Sequence, residues 1–352
     1  MSTPVGADPA VVGPYLASVL GDDRWRSVRI DLIAAGMSNL TYVVTPADAP
    51  GGRGEDAAVI LRRPPTGAVL ATAHDMAREH RVISALGPTA VPVPRTLDLC
   101  TDPEVLGAPF YVMERVVGIH VVGEFPPGYA DEPVQRRAVA HSLIDVLAEL
   151  HSVDQDAVGL SDFGRPEGFA ARQVRRWTKQ WDATRDRDRP GLDALAARLA
   201  ETVPATERSS IVHGDYRLDN CLLDPEKPGG IRAVLDWEMS TLGDPLTDLG
   251  MMFVYWPEAG EERASTLSPV TALPGFPTRA EVAERYAQRT GTDLSDLNWF
   301  VAFAFFKFAS IIAGIVARSA AGAMAGKDTS GYAERIDPCV ELGRAALDDG
   351  AI

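Results

Sequence analysis

The segment Ile211-Val-His-Gly-Asp-Tyr-Arg-Leu-Asp-Asn-Cys-Leu-Leu223 sets two short apolar runs, Ile211-Val212 and Cys221–Leu223, around a polar centre. Apolar runs this short, bounded by turn-forming residues, read as strands. Between them lie Asp215 and Asn220, five residues apart. A second segment, Ala233-Val-Leu-Asp-Trp-Glu238, places Asp236 directly behind another apolar run, 21 residues beyond Asp215. Asp and Asn taken singly are ordinary turn residues. Together they form a loop and a strand end that both offer hard oxygen donors, which suit Mg²⁺ shared with phosphate oxygens.

A His-x-Asp-x-x-x-x-Asn loop followed by a strand-end Asp is the arrangement with which kinases meet the demands of phosphoryl transfer. The loop Asp takes the acceptor hydroxyl's proton, while the Asn and the second Asp hold metal against the phosphates. The reaction needs positioning and charge neutralisation more than covalent help from the protein.

Outward from this centre the chain divides in character. Val28–Ala35 and Leu40–Val44 flank Gly36-Met-Ser-Asn39 as a hairpin, and 57–62 reads as a short strand stopped by Pro64-Pro65. An apolar stripe over 71–86, ended by Gly87-Pro88, predicts a helix. Arg95–Leu99 and Phe110–Val117 read as two further strands, giving β-β-β-α-β-β. Beyond Gly118 the pattern turns mainly helical. Val139, Leu143, Val146, Leu147 and Leu150 mark one amphipathic helix, and further helices are expected at 174–183, 192–202, 279–289 and 298–318. The expectation is two domains, 1–115 and 116–352.

Composition limits the possibilities. The chain has 352 residues, 46% hydrophobic and 24% charged, with a net charge of −15. That acidity disfavours nucleic acid or an anionic membrane as partner, since both need a basic face. Residues 1–115 carry 10 basic and 13 acidic side chains, so most of the acidic excess falls in the second domain. Cys100, Cys221 and Cys339 are far apart and odd in number, which supports neither a disulfide framework nor a zinc site. The first residues, MSTPVGADPA, lack a basic and an apolar region of the secretory kind, and a cytoplasmic location is expected. The apolar stretch Trp299–Ala317 is just long enough to span a bilayer. Lys307 near its middle would cost roughly 2.5–3.5 kcal/mol there, and the stretch is read as the buried central helix of a large domain.

The sequence resembles the aminoglycoside phosphotransferase/choline kinase family, over about residues 30 to 320. His213-Gly-Asp-Tyr-Arg-Leu-Asp-Asn220 matches that family's catalytic loop and Leu235-Asp-Trp-Glu238 its metal-binding segment. Thr241-Leu-Gly-Asp-Pro-Leu-Thr-Asp-Leu249 matches the Gly-Asp-Pro-x-x-Asp-Leu stretch, and Leu147-Ala-Glu-Leu-His151 the Leu-x-x-Leu-His helix end. The likeness is nearest to the branch that in some proteins is fused to acyl-CoA dehydrogenase domains. It implies an α+β, bilobal protein-kinase-like fold, with an N-terminal antiparallel sheet carrying one main helix and a larger, mostly helical C-terminal lobe. It also implies ATP (or GTP) and Mg²⁺ as cofactors and a small hydroxylated molecule as substrate, with Asp215 as catalytic base and Asn220 and Asp236 as metal ligands.

Within that resemblance, Val59-Ile-Leu-Arg62 takes the place of the kinase strand Val-Ala-Ile-Lys. Residues 1–115 contain no lysine, the first being Lys179. Arg62 would therefore hold the phosphates, with Arg63 as substitute if the register slips by one, and Glu79 would orient it. Ser38 and Asn39 would line the phosphate-covering turn, in place of a glycine-rich loop. Met113, Glu114 and Val116 would meet the adenine. Tyr216, Trp237, Glu238 and Asp244 are candidates for substrate contact, and Lys307 and Arg318 for pairing with carboxylates. His151, His213 and Asp248 read as supports of the loop. Two other readings stay open: a nucleotide-binding module without transfer activity, suggested by the missing lysine, and a metal-dependent phosphoesterase. The second is poorly supplied, since only six histidines are present and His213 is the last of them. Within the kinase reading, hydroxyacyl-type acceptors stand as an alternative to aminoglycosides.

Overall fold

A computed structural model describes residues 4–35, 39–48, 58–66, 75–185, 187–205, 208–261, 269–322 and 329–350. The chain divides into two compact units. One is Met1–Val117 with Arg232–Glu238, and the other is Gly118–Ile231 with Met239–Ile352.

In the first unit, β1 (Val28–Ala35), β2 (Leu40–Pro46), β3 (Val59–Arg63), β4 (Thr96–Cys100) and β5 (Phe110–Glu114) form one sheet in the order β1-β2-β3-β5-β4. Every neighbouring pair is antiparallel. α2 (Met76–Leu86) is capped by Asp75, whose side chain accepts the Arg78 N–H at 2.9 Å. The sequence had placed its start near 71, but residues 71–74 lie outside the described residues.

The expected order of five strands and one helix is present, with two helices the sequence reading did not include. α1 (Pro9–Leu20) begins with Asp8 accepting the Ala10 N–H and Pro9 at its first position, and ends at Gly21 in the left-handed region. Its Val12 and Leu16 join Trp25, Tyr42, Val44, Val59, Leu61, Phe110 and Val112 in one buried cluster. α1 therefore covers one face of the sheet, which otherwise would lie bare. α3 (Pro103–Leu106) is a single turn.

Strand alternation decides the roles of two adjacent arginines. Val59, Leu61 and Arg63 share one side of β3, while Ile60 and Arg62 share the other. Arg63 is 4% exposed and donates to the carbonyls of Gly6 and Leu106. It is a structural clamp, so the alternative register is excluded.

The second unit contains β6 (Ile119–His120), α4 (Pro133–Ser152), α5 (Phe169–Thr184), α6 (Pro190–Glu201), β7 (Ser210–Val212) and β8 (Cys221–Leu223). β9 (Ile231–Val234) leads into the first unit. After it come β10 (Thr241–Gly243), α7 (Leu246–Val254), α8 (Arg279–Thr290), α9 (Leu297–Ala320) and α10 (Ile336–Asp348). α9 packs against α5, α6, α7 and α10. It is long and apolar enough to cross a membrane by length and composition, and 83% of its most apolar window is buried inside the fold. α7 and α10 were not anticipated. α7 is buried along its whole length, so it shows no polar face from which a helical period could be read.

Candidate active site

β7 pairs antiparallel with β10 and delivers the chain to His213. The next residue, Gly214, has φ +85°, and a Cβ there would lie 2.6 Å from the Met239 carbonyl oxygen. Only glycine fits this turn. Asp248, in the first turn of α7 and fully buried, accepts the His213 N–H at 2.6 Å and the Gly214 N–H at 2.7 Å. His151, at the end of α4, approaches Asp248 through Nε2 at 3.1 Å and the Tyr286 hydroxyl through Nδ1 at 2.7 Å. Burial would raise Asp248, but hydrogen bonds from His151 and the His213 backbone outweigh it and hold the carboxyl below its usual range.

Past this clamp, the Asp215 N–H donates to His213 Nδ1 at 3.2 Å. Asn220 Nδ2 donates to the Asp215 carbonyl at 2.8 Å and to its Oδ2 at 3.1 Å. Both hydrogens of that amide are thereby used, leaving Asn220 Oδ1 as the oxygen able to ligate a cation. Arg217 Nε lies 3.4 Å from Asp215 Oδ2, and its Nη1 lies 2.8 Å from Asp219 Oδ2. Its guanidinium stacks 4.6 Å over the Tyr255 ring. Burial works against the charge of Arg217, yet the Asp215 and Asp219 carboxylates hold its pKa above the usual arginine range.

The first unit carries a second polar centre on the α2 side of its sheet. Arg62 Nε lies 3.0 Å from Glu79 Oε1, and its Nη2 lies 2.5 Å from Asp236 Oδ1 and 3.7 Å from Glu238 Oε2. Thr41 Oγ1 accepts from Nη1 at 3.4 Å. Asn39 Nδ2 donates to Glu238 Oε2 at 3.1 Å. Glu79 is 2% exposed, and burial, only partly offset by Arg62, pushes its carboxyl up to about 7. Burial opposes the charge of Arg62 as well, but Glu79, Asp236 and Glu238 hold it above its usual range. Asp236 has φ +66°. That left-handed conformation is uncommon for any residue with a side chain, though Asp bears it better than most.

Arg232–Glu238 thus belongs with the first unit rather than with residues 116–352, where the sequence boundary had put it. The physical reason is local: the Val234 N–H donates to the Pro92 carbonyl, and Asp236 is bound to Arg62. Among the described residues, no group of three His, Cys, Asp or Glu side chains stands ready to hold a metal. Asp236 offers a carboxylate within the first unit and Asn220 an amide oxygen within the second, and each is a hard donor of the kind Mg²⁺ prefers.

Three candidates for substrate contact are corrected. Tyr216 is fully buried and its hydroxyl donates to the Leu143 carbonyl at 2.7 Å. Trp237 is 1% exposed and donates to the Val234 carbonyl. Asp244 accepts the Leu246 N–H at 2.9 Å and pairs with Arg208 at 3.1 Å. All three hold the fold around the motifs. Glu238 is partly exposed beside Arg62. Met113 is buried and Val116 half-buried. Glu114 gives its N–H to the Arg95 carbonyl at 2.9 Å, so that N–H is not available to a base. Ser38 lies outside the described residues. Among the described residues, no carboxylate lies within ion-pair distance of Lys307; its Nζ donates to the Gly214 carbonyl at 2.5 Å. The sequence reading missed Thr41 and Tyr111 around Arg62 and Glu79, and it missed Arg217, although a cation between Asp215 and Asp219 was visible in the motif itself.

The family pattern of the phosphotransferase enzymes matches residues 29–299. The chain belongs to that family, a class of small-molecule phosphotransferases with a hydroxyl acceptor and a kinase-like fold. It is 37% identical to mouse acyl-CoA dehydrogenase family member 10 over 88% of its own length, but covers 28% of that relative. The chain spans well under half the length of such curated relatives. A solved structure from Ralstonia eutropha, named for a proposed aminoglycoside phosphotransferase, is 33% identical with a TM-score of 0.77, covering 92% of this chain and 93% of its own. The choline kinase of Cryptosporidium parvum shares the fold at a TM-score of 0.61 and 11% identity, over 92% of this chain and 91% of its own.

Proposed function

We propose that the chain transfers the γ-phosphoryl group of ATP, or of GTP, to a hydroxyl of a small molecule in the cytoplasm, with Mg²⁺. The observation that carries this reading is the Asp215–Asn220 pair, bonded at 3.1 Å on a loop whose backbone is clamped by Asp248. Asp215 accepts the proton of the acceptor hydroxyl. The hydroxyl oxygen bonds to the γ-phosphorus as the bond to the β,γ-bridging oxygen breaks, and the nucleoside diphosphate leaves. Arg62, oriented by Glu79, pairs with the phosphates in place of the usual lysine, bidentately and with a permanent charge. Asn220 and Asp236 would hold Mg²⁺, which would supply charge neutralisation on the triphosphate. Asn39, with Ser38, covers the phosphates. Met113, the Glu114 carbonyl and Val116 receive the base.

For the acceptor, a hydroxyacyl compound is favoured over an aminoglycoside. The matching relatives are named for acyl-CoA dehydrogenases. Arg217 between Asp215 and Asp219 leaves one net negative charge at this point, so the electrostatics there do not favour an anionic acceptor, and the preference rests on the relatives alone. The test is a nucleoside diphosphate release assay over hydroxyacyl thioesters, free hydroxy acids, aminoglycosides, choline-like amines and sugars, with Asp236→Ala as control. Release with the hydroxyacyl compounds and loss of it in the control is the expected result. Nucleotide binding without release on any acceptor would instead support a binding module, and phosphate release from simple monoesters without ATP a phosphoesterase.

A further inference from the structure

α9 is apolar from Leu297 to Ala317 except for Asn298, Ser310 and one charge, Lys307. Lys307 is 4% exposed, and neighbours such as Phe303, Phe306 and Phe308 are buried too. A methionine or leucine would fill this place without the cost of desolvating an ammonium, which amounts to several kcal/mol per ion. The side chain's reach explains why a lysine stands here. Nζ donates to the Gly214 carbonyl at 2.5 Å and lies 5.6 Å from the centre of the Trp177 ring.

That carbonyl belongs to the peptide joining Gly214 to Asp215. The other end of the same peptide, the Asp215 N–H, donates to His213 Nδ1 at 3.2 Å. The two preceding peptides are held through the His213 and Gly214 N–H groups by Asp248. Three successive peptide planes are therefore fixed, and the last of them, which sets the Cα–Cβ direction of Asp215, is fixed at its oxygen by Lys307. Burial pulls the ammonium's pKa down, opposed by the carboxylates of Asp215 and Asp248.

We propose that Lys307 is a positioning residue for Asp215: it locks the Gly214–Asp215 peptide and so aims the carboxylate that takes the acceptor's proton. This rests on the reading of Asp215 as base given above. Misplacing a catalytic group by about an ångström costs on the order of a hundredfold in rate.

The test compares wild type, Lys307→Met, which removes donor and charge at similar size, and Lys307→Gln, which keeps an N–H donor. Two readouts are taken: steady-state kinetics, and amide hydrogen exchange over residues 213–220. Lys307→Met is expected to lower kcat about tenfold or more, with KM for nucleotide within about twofold of wild type, and to speed exchange in the loop. Lys307→Gln should restore part of both. Unchanged kcat with unchanged loop exchange overturns the proposal. So does loss of folding in both variants, because the ammonium would then serve the core rather than the loop. A wild type that transfers no phosphoryl group defeats the functional reading alone, and loop exchange still decides whether Lys307 holds the peptide.

Discussion

The two polar centres are held together by different means. In the first unit, Arg62 is shared among Glu79, Asp236 and Glu238, so the cluster is an exchange of opposite charges with an excess of carboxylates. In the second, the loop around Asp215 is held through its backbone, by Asp248 on two N–H groups and by Lys307 on a carbonyl. On the proposed function, a triphosphate approaching Arg62 would compete with carboxylates already in place, which a bound cation would offset, whereas nothing in the loop clamp would have to be displaced for Asp215 to act. The comparison then sets a centre expected to trade partners on loading against one that is built beforehand.

The largest expected effect breaks the built centre. Asp248→Ala strands two buried N–H groups and the His151–Tyr286 pair, and should cost roughly 3–5 kcal/mol in urea denaturation. A cost below about 1 kcal/mol would mean that the loop holds its own shape.

Next comes a pH test of the exchanging centre. Burial lifts Glu79 from its ordinary value of 4.5 to about 7, so between those values the folded chain keeps a proton that the unfolded chain has released. Stability must then fall as pH rises through that window, by up to roughly 1.4 kcal/mol per unit. In Glu79→Gln the slope should disappear. An unchanged slope would locate the titration elsewhere.

A smaller effect sharpens the contrast. Arg62→Met should weaken nucleotide binding about tenfold, the loss of one charge-assisted contact, while leaving exchange over 213–220 as in wild type. Calorimetry that finds full affinity would show that the phosphates do not rest on Arg62.

Much of this was legible in the sequence, for reasons that can be stated. The loop from His213 to Asn220 and the strand-end Asp236 carry their chemistry in residue type and spacing, whereas the need for glycine at 214 shows only in its φ and its approach to the Met239 carbonyl. Arg62 was read as the phosphate-holding residue with Arg63 as its substitute, and which of the two faces the core depends on which sheet face is covered. That face is covered by α1, whose Asp8-Pro9 start and Gly21 end were written in the sequence but went unread. Tyr216 and Trp237 read as candidates for substrate contact because they stand beside the motif residues, whereas both are buried in the core. Lys307 looked like a cation in need of a carboxylate, and its partner proved to be a backbone carbonyl, which no side-chain pattern announces. The placement of 232–238 with the sheet-bearing unit likewise depends on a long-range ion pair, Arg62–Asp236.

The most direct measurement is turnover of Asp215→Ala beside wild type, with ATP, Mg²⁺ and an acceptor that wild type phosphorylates, together with nucleotide affinity by calorimetry. Loss of a general base should lower kcat by about 10²–10⁴-fold and leave nucleotide Kd within about threefold. Near-normal turnover in Asp215→Ala would contradict the assignment of Asp215 as the residue that takes the acceptor's proton.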